Sequence, residues 1–221
     1  MDHLSRREKE RQVREAEIIN AAEKVFYEKG FDGASMDEVA KEAQFTKRTV
    51  YQYFTNKDEL YFTIAVKGFK QLLSYFEAAI EKGQNGFEKI NLSGLAYYQF
   101  YKDFPDAFRL LNHCRFTKIK TEESPVHQEM MALENMMFEM FTKAMESGKA
   151  DGSIRADLDA RKGAYFVVSI SIGFLNMFSE AGMGFGQRYA LDQEEFILFG
   201  LDLLCDAIRG KKREPGDQRL S

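Results

Sequence analysis

A chain of 221 residues is longer than one typical domain and shorter than two average ones, so a small head and a larger body fit its length. With 44% hydrophobic and 30% charged residues it has the composition of a globular protein, not of a disordered one. A net charge of -4 excludes attraction to nucleic acid through the average field. Even residues 1–60 carry 11 Lys and Arg against 13 Asp and Glu, so any contact with DNA must come from local clustering.

Residues 1 to about 13 are charged and without apolar periodicity, with Arg6, Arg7, Lys9, Arg11 and Arg14 interspersed with Glu8 and Glu10. They read as an arm or a frayed helix start, either a solvated tail or an extension that touches phosphates or the minor groove. A helix follows, with Ile18, Ala22, Val25 and Phe26 on one face and Gly30 as its C′ residue.

The most informative stretch is Ser35 to Leu60. Ser35 with Glu38 three residues later forms a capping box, which opens a helix at Met36. Thr46 is a second N-cap, and only Gln44 and Phe45 separate it from Ala43, which leaves room for a turn but not for a loop. In the second helix Val50 and Phe54 share an inward face. Arg48, Thr49 and Gln52 lie opposite that stripe and suit base edges, whereas Lys47, Tyr51 and Tyr53 on the flanks suit phosphate oxygens. Asn56 and Glu59 cap a third helix at Lys57, whose N-terminus and ammonium suit a backbone phosphate. The candidate DNA-binding set is therefore Ser35, Thr46, Lys47, Arg48, Thr49, Tyr51, Gln52, Tyr53 and Lys57. The bland alternative is a solvated helical hairpin whose basic residues do nothing.

The string GASMDEVAKEAQFTKRTVYQYFTNKDELY resembles the DNA-binding domain of the tetracycline-repressor (TetR) family, with its small-residue cap, its T/V-Y-x-Y/H-F recognition helix and its K-x-E-L helix start. One departure is Gln44, where the family usually has Gly in the turn. A Gln there must adopt a left-handed backbone that Gly adopts freely. The resemblance covers the head closely and the body in architecture. It implies a transcriptional regulator, a repressor released from a palindromic operator when a small hydrophobic or aromatic effector binds the body.

From Lys57 the apolar pattern runs on to Gly83 as one connecting helix of roughly seven turns. Helical patterns follow at about 87–104, 106–118 and 125–147, the last opened by Ser124 with Pro125 at N1. The surplus of Met and aromatic residues there could line a pocket for an apolar effector, although such a stripe is more often core. The candidate pocket residues are Tyr97, Tyr101, Phe108, His113, Phe116, Met137, Phe141, Phe166 and Phe174. Asp157 reads as the N-cap of a helix from Leu158 to Gly182, closed by a loop containing Gly182, Gly184 and Gly186. Asp192 and Glu195 cap a last helix through Ile208.

These last two helices are apolar on more than one side, which predicts a homodimer interface including Ile170, Phe199 and Leu203. The expected fold is all-α: an arm and helix-turn-helix domain at 1–56, a helical effector-binding and dimerisation domain at 57–210 with its connecting helix at 57–83, and a disordered tail at 211–221. Cys114 and Cys205 are in no metal-like or CxxC spacing, so neither a metal nor a cofactor is expected and a reducing compartment fits. The N-terminus has no apolar run, and the stretch 165–178 is too short for a membrane span, so a cytoplasmic protein is expected. Rival readings are an activating or ligand-independent regulator, a helical adaptor, and an all-helical enzyme using His113 and Cys114 as base and nucleophile. Adjacent helix positions point about 100 degrees apart, which weighs against the enzyme.

Overall fold

The computed structural model of the chain describes residues 5–116, 124–189 and 191–210, and side chains at 5–115, 124–179 and 191–210. Among these residues the backbone forms nine helices in the order α1 (Arg6–Gly33), α2 (Met36–Glu42), α3 (Lys47–Tyr51), α4 (Lys57–Lys82), α5 (Gly86–Asp103), α6 (Pro105–Phe116), α7 (Pro125–Asp151), α8 (Ala160–Tyr189) and α9 (Gln193–Asp206). No strand occurs among them, only an isolated bridge between Ile154 and Arg209. The expected all-helical class holds. The tail at 211–221 lies outside the described residues.

The chain divides into two compact units, one of residues 1–70 with 106–132 and one of residues 71–105 with 133–221. Lys57 opens α4, and the division falls further along that helix. In the first unit, α1 begins earlier than a frayed arm would. Ser5 Oγ accepts from the Glu8 amide at 3.3 Å while Glu8 Oε2 accepts from the Ser5 amide at 2.8 Å, so a capping box fixes the first turn at Arg6. Gly30 ends the regular helix at φ 69°, the left-handed conformation of a C′ residue. Ile18, Ala22 and Phe26 of α1, Val39 of α2, Val50 of α3 and Leu60 of α4 are all buried in this unit. On α4, Gly68 lets α6 approach, with Ala107 Cβ 3.6 Å from where a side chain would begin. Tyr61 links three elements, its ring edge-on to Phe26 and Phe31 and its hydroxyl 3.0 Å from His113 Nδ1.

In the second unit the start of α5 is held from several sides. Asn85 accepts from the Glu88 amide, Asp151 from the Gly86 amide at 3.0 Å, and Ser153 from the Phe87 amide at 3.0 Å. These acceptors satisfy amides that have no partner within their own helix. Gly86 lies directly against the backbone of Gly148 in α7. Phe76 packs on Tyr97 at 6.1 Å and on Phe141 at 5.1 Å between ring centroids.

Two sequence expectations need correction here. The cap of α8 is Asp159, which accepts from the Lys162 amide at 2.9 Å. Asp157 instead forms a forked pair with Arg155, at 2.8 and 2.6 Å, so its carboxylate is committed before the helix starts. Nor does α8 stop at Gly182, since its backbone continues to Tyr189. Glycine in a helix interior costs about 1 kcal/mol but does not forbid the local hydrogen-bond ladder. The last helix has the expected cap, with Asp192 accepting from the Glu195 amide at 2.8 Å.

Candidate nucleic-acid interface

Three capped helix starts build this surface. Ser35 Oγ accepts from the Glu38 amide at 3.3 Å, and Glu38 Oε2 accepts from the Ser35 amide at 2.9 Å. Lys29 donates to the other Glu38 oxygen at 2.6 Å. The Lys29 hydrogen bond, then the one from Ser35, hold the Glu38 carboxyl below its ordinary range. Ser35 thus fixes α2 and is itself exposed.

At the end of α2 the Phe45 amide donates to Ala40 O at 2.9 Å and the Gln44 amide to Lys41 O at 3.1 Å. This is the Schellman arrangement, with Gln44 in the C′ position at φ 57°. The left-handed conformation expected of Gln44 is therefore present, and both orphan carbonyls gain partners. Thr46 follows at once as the cap of α3, its Oγ1 accepting from the Thr49 amide at 3.1 Å. With Val50 fully buried and Phe54 nearly so, α3 is anchored by the face that the sequence placed inward.

The outward face is less uniform. Arg48, Tyr51 and Gln52 are exposed, Tyr51 at 43%. Thr49 is half-buried, and its hydroxyl lies 2.8 Å from that of Thr46. Lys47 is exposed and reaches Asp37 of α2 at 2.8 Å, a pairing that raises its own proton affinity. Tyr53 is half-buried beneath Arg11 of α1, whose guanidinium carbon stands 5.9 Å from the ring centroid. The sequence placed Arg11 only in a charged arm, since a contact with a ring 42 residues away leaves no signal in local spacing.

Lys57 corrects the sequence reading more sharply. Its ammonium donates to Phe31 O at 2.7 Å and Ala34 O at 3.1 Å and lies 4.3 Å over the Phe31 ring. It ties down the connection between α1 and α2, so it is occupied inside the domain and does not reach toward a phosphate. The start of α4 is capped by Asn56, which accepts from the Glu59 amide at 2.8 Å, while Glu59 turns to Thr55 instead of closing the box on Asn56.

The residues expected to form an effector pocket fall into different settings. Tyr97, Met137 and Phe141 are buried in the second unit, Tyr97 and Phe141 against Phe76. Tyr101 is half-buried and stacks on Tyr98. Phe108 and His113 belong to the first unit, Phe108 in its core and His113 beside Tyr61. The Phe116 side chain lies outside the described residues. Phe174 packs on Phe178 and Phe196, filling the space above Gly200 of α9. Phe166 is 53% exposed and so lines no interior of its own unit. It belongs instead to an exposed stripe along α8 with Ile170 one turn on and Met177 two turns beyond that, and α9 likewise exposes Phe199 and Leu203, at 60% and 59%.

His113 and Cys114 do not assemble as base and nucleophile. His113 faces the Tyr61 hydroxyl, and burial pushes the Cys114 thiol far above its ordinary value, away from the reactive thiolate. Among the described residues no group of three His, Cys, Asp or Glu side chains could hold a metal ion, and no helix is long and apolar enough to cross a membrane.

Residues 18–64 match the family of bacterial regulatory proteins called the tetR family. The transcriptional activator FasR of Mycolicibacterium smegmatis is 28% identical over 101 residues, 46% of each chain. IcaR, the negative transcriptional regulator of the biofilm operon icaADBC in Staphylococcus aureus, is 34% identical over 87 residues, 39% of this chain and 43% of IcaR. The chain thus matches about half the length of these relatives. FadR of Bacillus subtilis, a transcriptional regulator solved with stearoyl-CoA, superposes with a TM-score of 0.67 over 88% of this chain and 99% of FadR, at 18% identity, and so shares the fold. The capped turn, the buried Val50 and Phe54 anchor and the exposed face of α3 all lie within the residues that match the tetR family of bacterial regulatory proteins.

Proposed function

We propose that the protein is a cytoplasmic, non-enzymatic transcriptional regulator that binds a palindromic DNA operator as a homodimer. The observation that carries this reading is the exposed set Arg48, Tyr51 and Gln52 on a short helix fixed at both ends. Arg48 suits the O6 and N7 of guanine and Gln52 the N6 and N7 of adenine. Thr46, Thr49, Tyr53 and Ser35 position that helix and border the DNA. Lys47, held near Asp37, turns to phosphate when DNA approaches. Lys57 is withdrawn from the contact set because two of its three ammonium donors are held by Phe31 O and Ala34 O and its ammonium lies over the Phe31 ring.

The α8 and α9 stripes meet their copies across a two-fold axis, which covers apolar surface that a monomer would leave wet. An apolar effector, of the acyl type suggested by the stearoyl-CoA bound to FadR, enters the aromatic and Met-rich part of the body and releases the operator. An activating mode is the second reading, favoured by the activator FasR among the relatives.

Selection of duplex from a random pool, followed by titration of Arg48→Ala and Gln52→Ala, tests the reading. Each variant should lose about 1–3 kcal/mol on the selected site and relax preference at one base pair. The two half-sites should lie about 34–36 Å apart or somewhat more. No duplex recovered, or no loss in either variant, would overturn it.

A further inference from the structure

The first three turns of α1 are a helix with nothing beneath them: from Arg6 to Glu17 every residue is exposed except the half-buried Glu15, and Ile18 is the first buried one. At about 100 degrees per residue, Arg7, Arg11 and Arg14 fall within an arc of roughly 60 degrees. The same arc, followed along the helix, contains the buried Ile18 and Val25, with the buried Ala21 about 20 degrees beyond its edge. The face that turns inward further along therefore continues toward the N-terminus as arginine. The acids of this segment, Glu8, Glu10, Glu15 and Glu17, sit about 70 degrees or more from the centre of this arc, about 40 degrees or more beyond its edges. Glu10 is drawn further off by its pair with Arg6 at 3.1 Å. Arg7, Arg11 and Arg14 have no carboxylate partner among the described residues. Arg11 marks which way the stripe faces, since its guanidinium lies over Tyr53, immediately beyond α3.

We infer that Arg7, Arg11 and Arg14 form a second docking surface, for the phosphate backbone of double-stranded DNA beside the site that α3 reads. The inference rests on the DNA-binding reading proposed above. Three guanidinium groups with no carboxylate partner among the described residues, spaced over about 10 Å of one helix face, form a strip that matches the regular charge of a duplex backbone and not an isolated anion. The strip also answers the charge problem of an acidic chain, because it places cations on the side of the head that α3 occupies while the acids of α1 face elsewhere. Contacts of this kind position the protein and carry no base preference.

The full-length protein with Arg7→Gln, Arg11→Gln and Arg14→Gln together is titrated against the duplex selected by the wild type and against an unrelated duplex, between about 50 and 200 mM salt. Because all three side chains are exposed and only Arg11 covers a ring, that of Tyr53, the triple variant should keep wild-type helicity and a thermal midpoint close to wild type. Its binding should weaken by the same factor on both duplexes, and its salt slope should become shallower by about three per protomer. Arg6→Gln, whose parent side chain is already paired, should leave the slope within about one half of wild type. An unchanged slope in the triple variant overturns the inference while leaving the α3 reading intact. So does a loss confined to the selected duplex, which would mean base reading, or tighter binding to phosphatidylglycerol vesicles than to either duplex. A wild type that binds neither duplex overturns both proposals together.

Discussion

The turn between α2 and α3 and the pair of helices α8 and α9 solve opposite problems. Around the turn, two helices of 7 and 5 residues would not persist alone, and each terminus is closed by a side chain or a backbone bend nearby in sequence: Ser35, Gln44 and Thr46. Along α8 and α9 the helices are long and propagate without help, even through glycines, but Phe166, Ile170, Phe199 and Leu203 are left facing outward. Local chemistry decides the first region. The second is completed only by what packs against it. A substitution at the turn should therefore act on folding within one chain, and a substitution on the α8 and α9 face should act on association.

The sharpest way to break that contrast is to place charge on the outer face. Phe199→Asp with Leu203→Asp would bury four carboxylates in a two-fold interface, and we expect the dissociation constant to rise by a factor of about 10³, roughly 4 kcal/mol. Sedimentation equilibrium should show monomers that remain helical. A wild type already monomeric at micromolar concentration would remove the dimer, and with it the distinction between the two regions.

Next in size is Gly86→Ala, which probes a contact outside both regions, between α5 and α7, that depends on close fit within one chain. An added Cβ would overlap the Gly148 backbone and the Ala144 carbonyl, neither of which can move aside by changing a rotamer. Overpacking against backbone belongs at the upper end of the usual cost, so we expect unfolding in urea to lose about 3 kcal/mol. A loss below about 1 kcal/mol would mean that α5 and α7 do not approach this closely.

Lys57→Met separates a structural cation from a DNA-binding one. The methionine keeps most of the apolar stem but leaves the Phe31 and Ala34 carbonyls without their charged donor. We expect about 2 kcal/mol of lost stability and an unchanged salt slope for DNA. A shallower slope at full stability would return Lys57 to the contact surface.

Lys57 also shows where reading the sequence reached its limit. The three caps, the inward Val50 and Phe54 and the outward Arg48 and Gln52 were legible because each follows from spacing within one or two turns. The partner of Lys57 lies 23 and 26 residues away, and no spacing rule reports a carbonyl brought in from that far. The same holds for Asp157, whose carboxylate is taken by Arg155 before it can cap, and for Phe166, whose placement on a surface or in a pocket depends on the neighbours of the whole helix. Arg7, Arg11 and Arg14 were a different case: their register was visible, but it takes the contact of Arg11 with Tyr53, together with the buried residues further along α1, to show which way it faces.

The smallest expected effect tests whether the turn is governed by its own backbone. Gln44 sits at φ 57°, where an L side chain costs on the order of 1 kcal/mol and glycine costs little. Gln44→Gly should relieve that strain, but glycine also loses about 0.5–1 kcal/mol more chain entropy on folding. The two terms nearly cancel, so the variant alone should change stability by no more than about 0.5 kcal/mol. Gln44→Ala makes the comparison informative, because alanine keeps the Cβ and the strain while the Gln44 side chain is exposed and little is lost with it. By the same two terms Gly should then be the more stable of the two variants by up to about 0.5 kcal/mol, the direction of the usual preference for glycine at a left-handed helix end. Urea unfolding of the pair measures it, and operator affinity should be equal in both, since the Schellman bonds from Gln44 and Phe45 use only backbone atoms. If Ala proved more stable than Gly, the left-handed residue would not be setting this turn, and the caps at Ser35 and Thr46 would have to hold α2 and α3 at their angle without it.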